Sequence, residues 1–273
     1  MAQQPPKLEI NPPLINSSNP WATTLEDLKS LYACPSTGAV TTRTSLIKGF
    51  DHDDAQHQYT FLDAATHSVS KFKSGDQNAS LNSLGYSPLT LETYLGFIKQ
   101  ISDEQSTESS KGFIVSVTGT ANEVAESYRL IASVRPLLKF PVAMEVNLSC
   151  PNIPEKPPPA YSKESLIKYL DSLRKVIEAH PAMWRIPFGL KTPPYTYSTQ
   201  YEGLIGALVQ SAAPTGVSLI SFITATNTLG SCVALSSYSP AGESSASFAL
   251  PGLGIGGMAG APLRMLYPTT WKV

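Results

Sequence analysis

Cys150 stands between two carboxamides in the run Asn147-Leu-Ser-Cys150-Pro-Asn152. A thiolate is a good nucleophile and a competent general base, with an ordinary thiol pKa of about 8.5. The carboxamides on either side of it offer both donors and acceptors to a polar ring. Val142, Met144, Val146 and Leu148 alternate with Ala143, Glu145 and Asn147, which is the period of a strand. Pro151 then removes a ladder donor, so the chain leaves the sheet just after Cys150. The thiol is thereby expected at the carboxyl end of a strand, and in a parallel α/β barrel that rim is where chemistry is done. A packed structural thiol is the other reading, because cysteine is among the most buried residue types.

Other polar residues fall at the ends of predicted elements: Ser17, Ser18, Arg43, Asn82, Lys191, Thr224 and Asn227. Singly, each reads as a cap or a solvated loop residue. On parallel strands they would converge on one face. The glycine-rich run 252–260 offers backbone amides to a phosphate or a flat ring, or is a flexible turn. Residues 49–77 carry His52, His57 and His67 among Asp51, Asp53 and Asp54, but without metal-ligand spacing, and read as a solvated excursion.

The elements that must position these groups follow from periodicity and capping. Strands are predicted at 12–16, 38–43, 113–117, 142–148, 186–191 and 217–224, with residues 80–86 as a loop. Helices are predicted over 25–32, capped by Thr23 or Thr24, and over 90–101, 123–138, 162–180 and 201–211. Strand and helix alternate, which predicts parallel βαβ units in one α/β domain. The 273 residues suffice for a large core, and 42% hydrophobic content suits a soluble globular chain. With 20 basic and 21 acidic residues the net charge is -1, and no basic run suggests nucleic-acid binding. No apolar stretch long enough for a membrane span and no signal peptide is expected. Cys34, Cys150 and Cys232 are too scattered for a disulfide framework, so a reducing cytoplasm is the expected compartment.

The segment Asn-Leu-Ser-Cys-Pro-Asn, with Pro-x-Lys-Pro and Ala-Tyr downstream, closely resembles the active-site loop of class 1 dihydroorotate dehydrogenases. The resemblance covers about residues 9–264 and is nearest the fungal branch beside class 1A. It implies a (β/α)8 TIM-barrel flavoprotein that binds FMN and oxidises (S)-dihydroorotate to orotate in pyrimidine biosynthesis. In that chemistry Cys150 takes the C5 proton while a hydride leaves C6 for flavin N5. The resemblance places Asn82, Leu84, Gly85, Tyr86, Asn147, Asn152, Arg43 and Asn227 at the substrate, Asn227 when the motif is anchored on Gly230. It places Ser17, Ser18, Arg43, Asn147, Lys191, Thr224, Gly256 and Gly257 at FMN, with Lys191 beside flavin N1 and O2. It further implies fumarate as electron acceptor and a homodimer if the barrel is complete, while spacing, charge and hydropathy lead to the expectation of no metal, nucleic acid or membrane partner.

Three departures from the family pattern stand out. Arg43 replaces the usual lysine, and its planar fork is not interchangeable with an ammonium. Thr224-Ala225 replaces an Asn-Ser or Asn-Cys pair. After residue 264 the pattern stops, and residues 265–273 read as a divergent tail to the 1–264 barrel domain. The expectation is therefore an incomplete barrel with about six of its eight strands. Besides the dihydroorotate-oxidising enzyme, a non-catalytic truncated paralogue and a flavin oxidoreductase acting on a related ring acid stand as alternatives.

Overall fold

The computed structural model describes residues 4–150, 158–179, 185–236 and 247–266. In chain order the strands are β1 (Ala39–Thr41), β2 (Tyr59–Leu62), β3 (Val69–Ser70), β4 (Ala79–Asn82) and β5 (Gly112–Val117). They continue with β6 (Val142–Asn147), β7 (Phe188–Thr192), β8 (Phe222–Ala225), β9 (Leu229–Cys232) and β10 (Gly256–Gly260). The α-helices are α1 (Leu25–Ala33), α2 (Leu91–Asp103), α3 (Ala121–Val134), α4 (Lys163–Ala179) and α5 (Ser198–Ala212).

Strands β1, β5, β6, β7 and β8 form a parallel sheet in that order. Helices α3, α4 and α5 connect its successive members from β5 onward, as in the βαβ units of a barrel. The helices begin where their side chains dictate. The Thr24 hydroxyl accepts from the Asp27 amide while Asp27 accepts from Thr24, and Thr120 and Glu123 repeat that capping box on α3. Ser162 accepts from the Ser165 amide at 3.1 Å and opens α4. Leu166, Tyr169, Leu170 and Leu173 of α4 then form a buried stripe against the sheet.

Alternation along the strands divides the sheet into two faces. Val142, Met144 and Val146 of β6 and Phe188 and Leu190 of β7 join the main core under the helices. The opposite, inner face carries Ala39, Ile114 and Ala143, and Leu8, Ile10 and Ile15 of the preceding segment pack against them. Further along the same strands, towards their carboxyl ends, the inner positions become polar: Ser116, Glu145, Asn147 and Lys191 are all buried. Gly189 is required in this packing, because a Cβ there would lie 2.4 Å from the Phe222 carbonyl oxygen on β8. Gly189→Ala is expected to destabilise the chain by about 1–3 kcal/mol through overpacking, read from chemical denaturation.

Four sequence expectations need correction. The strand expected at 12–16 contributes one parallel bridge, Ile15 to Ala39, so the parallel sheet among the described residues has five strands where six were expected. Residues 49–77, read as a solvated excursion, contain β2 and β3, and the expected loop at 80–86 overlaps β4. The glycine-rich run expected as a turn contains β10. Together these strands build a second, antiparallel sheet in the order β3-β2-β4-β10-β9, over a small core of Leu62, Ala79, Leu81 and Leu250. Its strands have two to five residues, too few for a period to stand out from a polar loop. Gly256 is glycine because a Cβ would come within 2.4 Å of the Asn82 carbonyl oxygen across the β4–β10 pair. The expected tail at 265–273 lies largely outside the described residues. Among the described residues no helix is long and apolar enough to cross a membrane.

Candidate active site

The carboxyl ends of β1, β6 and β7, the turn before α1 and the loop after β4 meet around one cavity of about 320 Å³. Ser17, Ser18, Arg43, Asn82, Leu84, Gly85, Tyr86, Asn147, Cys150, Lys191 and Asn227 all line it. Thr224 sits on β8 in register with Lys191 and does not reach the lining. Gly256 and Gly257 lie outside the lining as well, buried in β10 opposite Cys232 and Asn82, although their neighbour Ala259 reaches the cavity. Asn152 lies outside the described residues.

Cys150 is half-buried immediately beyond β6. The Tyr86 hydroxyl hydrogen-bonds both Cys150 and Thr118, and burial pushes the phenol pKa well up, with negative charge on Cys150 adding to the rise. Tyr86 therefore stays protonated at any working pH and can donate to a thiolate, leaving the thiol as the base of the pair. Arg43 is 8% exposed, and its Nη2 donates to the Gly85 and Tyr86 carbonyls at 3.3 and 3.1 Å. Burial lowers its pKa, while Tyr94 and Cys150 counteract that shift. Its Nε is buried without a hydrogen-bond partner among the described residues. The guanidinium thus holds the loop after β4 in place and keeps unspent donor capacity at the cavity wall.

Lys191 is 4% exposed and donates from Nζ to Ser17 Oγ at 3.3 Å. Asn147 is held from both sides: its Nδ2 donates to Thr44 Oγ1 at 2.9 Å, and its Oδ1 accepts from Asn227 Nδ2 at 3.0 Å. Asn227 also donates to Ser149 Oγ at 2.9 Å, which ties the segment after β8 to the segment after β6. The cavity thus presents a thiol, a phenol, two cations and several fixed carboxamides to one ligand-sized space. Such a set can orient a polar ring bearing a carboxylate, remove a proton from it and stabilise negative charge beside it.

Residues the sequence reading passed over also belong here. Thr44, Trp21, Ser80, Thr226 and Thr228 line the cavity, and Glu145 and Ser116 lie in the wall next to it. Glu145 carried a signal, a carboxylate at an inward position of an otherwise apolar strand. The hydroxyls carried none, since threonine and serine within strands read as ordinary sheet or loop residues. The His52 and His57 rings stack at 5.1 Å, and among the described residues no three His, Cys, Asp or Glu side chains gather as metal ligands would.

A parallel α/β sheet with its polar cavity at the strands' carboxyl ends defines a barrel-type protein with its site in the usual place for that architecture. A family model described as dihydroorotate dehydrogenase matches residues 69–267, and the chain belongs to that family. It is 32% identical over 182 residues to the dihydroorotate dehydrogenase (fumarate) of Trypanosoma brucei brucei, a match covering 66% of this chain and 50% of that protein. It is 26% identical to the enzyme of the same name from Trypanosoma cruzi, with 94% and 68% covered. Against dihydroorotate dehydrogenase A (fumarate) of Lactococcus lactis subsp. lactis it is 25% identical, with 94% and 70% covered. The chain thus spans half to about two thirds of the length of these relatives. Among solved structures, the DHODH of Eimeria tenella in complex with ferulenol superposes with a TM-score of 0.60 at 14% identity, covering 93% of this chain and 64% of that one. The ligand-free form gives 0.53 at 15%, with 84% and 60% covered. These likenesses concern the fold.

Proposed function

We propose that this chain carries the substrate-oxidising site of an FMN-dependent enzyme that converts (S)-dihydroorotate to orotate in pyrimidine biosynthesis. The observation that carries the proposal is the meeting of Cys150, Tyr86, Arg43, Asn147 and Lys191 at one cavity. FMN, when bound, supplies a two-electron acceptor for the hydride that leaves C6 of the substrate. Cys150 removes the proton at C5, with the neutral Tyr86 phenol donating to the thiolate beforehand. Arg43 attracts the substrate carboxylate, and Asn82, Asn147 and Asn227 bond the edges of its ring, with Asn152 joining them in this reading. The fit to FMN rests on the buried Lys191 ammonium, the orphaned Arg43 Nε and the hydroxyls of Ser17 and Ser18. These groups suit the ring end of the cofactor. Thr224, Gly256 and Gly257 complete that proposed set from outside the present lining.

Fumarate as electron acceptor is supported by the names of the trypanosomal and lactococcal relatives. A homodimer and a cytoplasmic location belong to the same proposal. The test is direct. The purified full chain, titrated with FMN, is expected to quench flavin fluorescence and then to bleach the bound flavin when dihydroorotate is added anaerobically. Binding without bleaching rejects the substrate, and absence of binding rejects the cofactor.

A second reading, in which a related ring acid is the substrate, is favoured by one observation: Arg43 spends donors on the Gly85 and Tyr86 carbonyls, which leaves fewer of them for a substrate carboxylate. Arg43→Lys separates the two readings. If dihydroorotate is the substrate, losing the loop contacts raises KM about tenfold while kcat stays within about threefold. A rise in kcat/KM for dihydroorotate in that variant supports the related ring acid.

A further inference from the structure

Glu145 is a buried carboxylate that the chemistry proposed above does not use. It lies on the inner face of β6, 3% exposed, and its Oε1 accepts from Ser116 Oγ at 2.8 Å. Ser116 Oγ lies 2.9 Å from Thr44 Oγ1, and Thr44 Oγ1 lies 2.9 Å from Ser18 Oγ. Thr44 and Ser18 line the cavity. Four side chains thus form a hydrogen-bonded line from a buried acid to the ligand space.

Each hydroxyl has one proton, so the direction of the line is set from its ends. A carboxylate only accepts, so Ser116 donates to Glu145, and Thr44 must donate to Ser116. Asn147 Nδ2 donates to Thr44 at 2.9 Å and takes one of its lone pairs. The orientation of that carboxamide is fixed separately, because its Oδ1 accepts from the Ser149 backbone amide at 3.3 Å. The remaining lone pair of Thr44 accepts from Ser18. The Ser18 proton is thereby used, and its oxygen meets the cavity with lone pairs alone.

We propose that Glu145 is a positioning residue: acting through Ser116 and Thr44, it holds Ser18 as a hydrogen-bond acceptor, so that the cavity selects a ring offering an N–H. An imide N–H of the kind carried by flavin and pyrimidinedione rings meets this demand, and an N-alkylated ring does not. With the line broken, the Thr44 proton turns to Ser18, Ser18 becomes a donor, and the selection disappears. This inference rests on the flavin reading above for the identity of the ring, while the direction of the line stands on the protein alone.

The experiment compares FMN with FMN methylated at its imide nitrogen, by fluorescence titration of the full chain. The wild type is expected to prefer FMN at least about tenfold, the worth of one desolvated hydrogen bond. Ser116→Ala is expected to bring the two ligands within about threefold of each other, because Thr44 loses its acceptor. Glu145→Gln, which can still turn an oxygen towards Ser116, is expected to retain the preference, and Glu145→Leu, which leaves Ser116 without its acceptor, to lose it; an undiminished preference in Glu145→Leu removes Glu145 from the positioning role. Equal affinities in the wild type, or an undiminished preference in Ser116→Ala, overturn the proposal. Neutron diffraction from ligand-free crystals gives a readout that needs no flavin and no variant. A Ser18 proton pointing to Thr44 upholds the assigned direction and one pointing into the cavity overturns it, whereas failure of the wild type to bind either ligand counts against the flavin reading.

Discussion

Cys150→Ser is expected, in the proposed reaction, to slow proton removal from dihydroorotate by about 10²- to 10⁴-fold, the range that a positioned general base contributes. The thiol stands just past the end of β6, at the cavity and within hydrogen-bonding reach of Tyr86. Burial keeps the phenol protonated, so it cannot replace the lost base. It can only donate to whatever occupies position 150. A serine hydroxyl holds its proton far more tightly than a thiol, so the variant keeps the geometry and loses the proposed acceptor of the C5 proton. Single-turnover reduction of the bound flavin, run with substrate deuterated at C5, provides the measurement. A large isotope effect should emerge in the variant as this step becomes limiting. A variant that reduces flavin at the wild-type rate would show that Cys150 is packed at the site and takes no part in the reaction.

Removing the Lys191 side chain should have the opposite thermodynamic profile from a core mutation. Lys191→Ala is expected to weaken FMN about 10- to 100-fold, in keeping with the loss of a charge-assisted contact. The ligand-free chain should melt no lower than the wild type. Lys191 is almost fully buried, and its hydrogen bond among the described residues is a long one to Ser17. Burying an ammonium with so little compensation is unfavourable in the empty protein, so its deletion relieves a penalty. In the proposed function that penalty is offset when the polar N1–O2 edge of a bound flavin faces the ammonium, and more so where negative charge builds up there. Fluorescence titration and a thermal melt, done side by side, decide the matter. Unchanged FMN affinity, or a steep loss of stability without ligand, would make Lys191 a structural residue.

The parallel half of the fold was readable because its elements are long and regular. β5 and β6 have six residues each, and α4 has 17, so alternation and helical spacing had room to declare themselves. Pro151 and a threonine cap at position 23 or 24 marked boundaries through simple steric and hydrogen-bonding demands, whereas the Thr120 cap, which starts α3 two residues before the expected position, went unread. The antiparallel sheet was not readable. Its β4 and β10 lie far apart in the chain, and neither carries enough side chains to show a face. The cavity was legible where a residue type is chemically conspicuous, as with Cys150, Lys191 and the carboxamides. Thr44 and Ser116 were not, because their role comes from a line of contacts running from β6 through β5 to the segment after β1 and the turn before α1, which no local pattern encodes.

The pairing of β4 with β10 has a consequence for the order of events in folding. Asn82 donates to the Gly257 carbonyl across 175 residues of chain, and Ala259 and Leu263 beyond it line the same space as Ser80 and Asn82. Closing so long a loop is entropically expensive and slow, so this wall forms after the local βαβ units have already condensed. A ligand that touches both sides of the seam can bind only once the seam exists, and by mass action it then holds the seam shut. Amide protons of residues 79–82 and 256–260 should therefore exchange faster than those of β6 in the empty protein and slow down on saturation, making occupancy itself the final step of maturation.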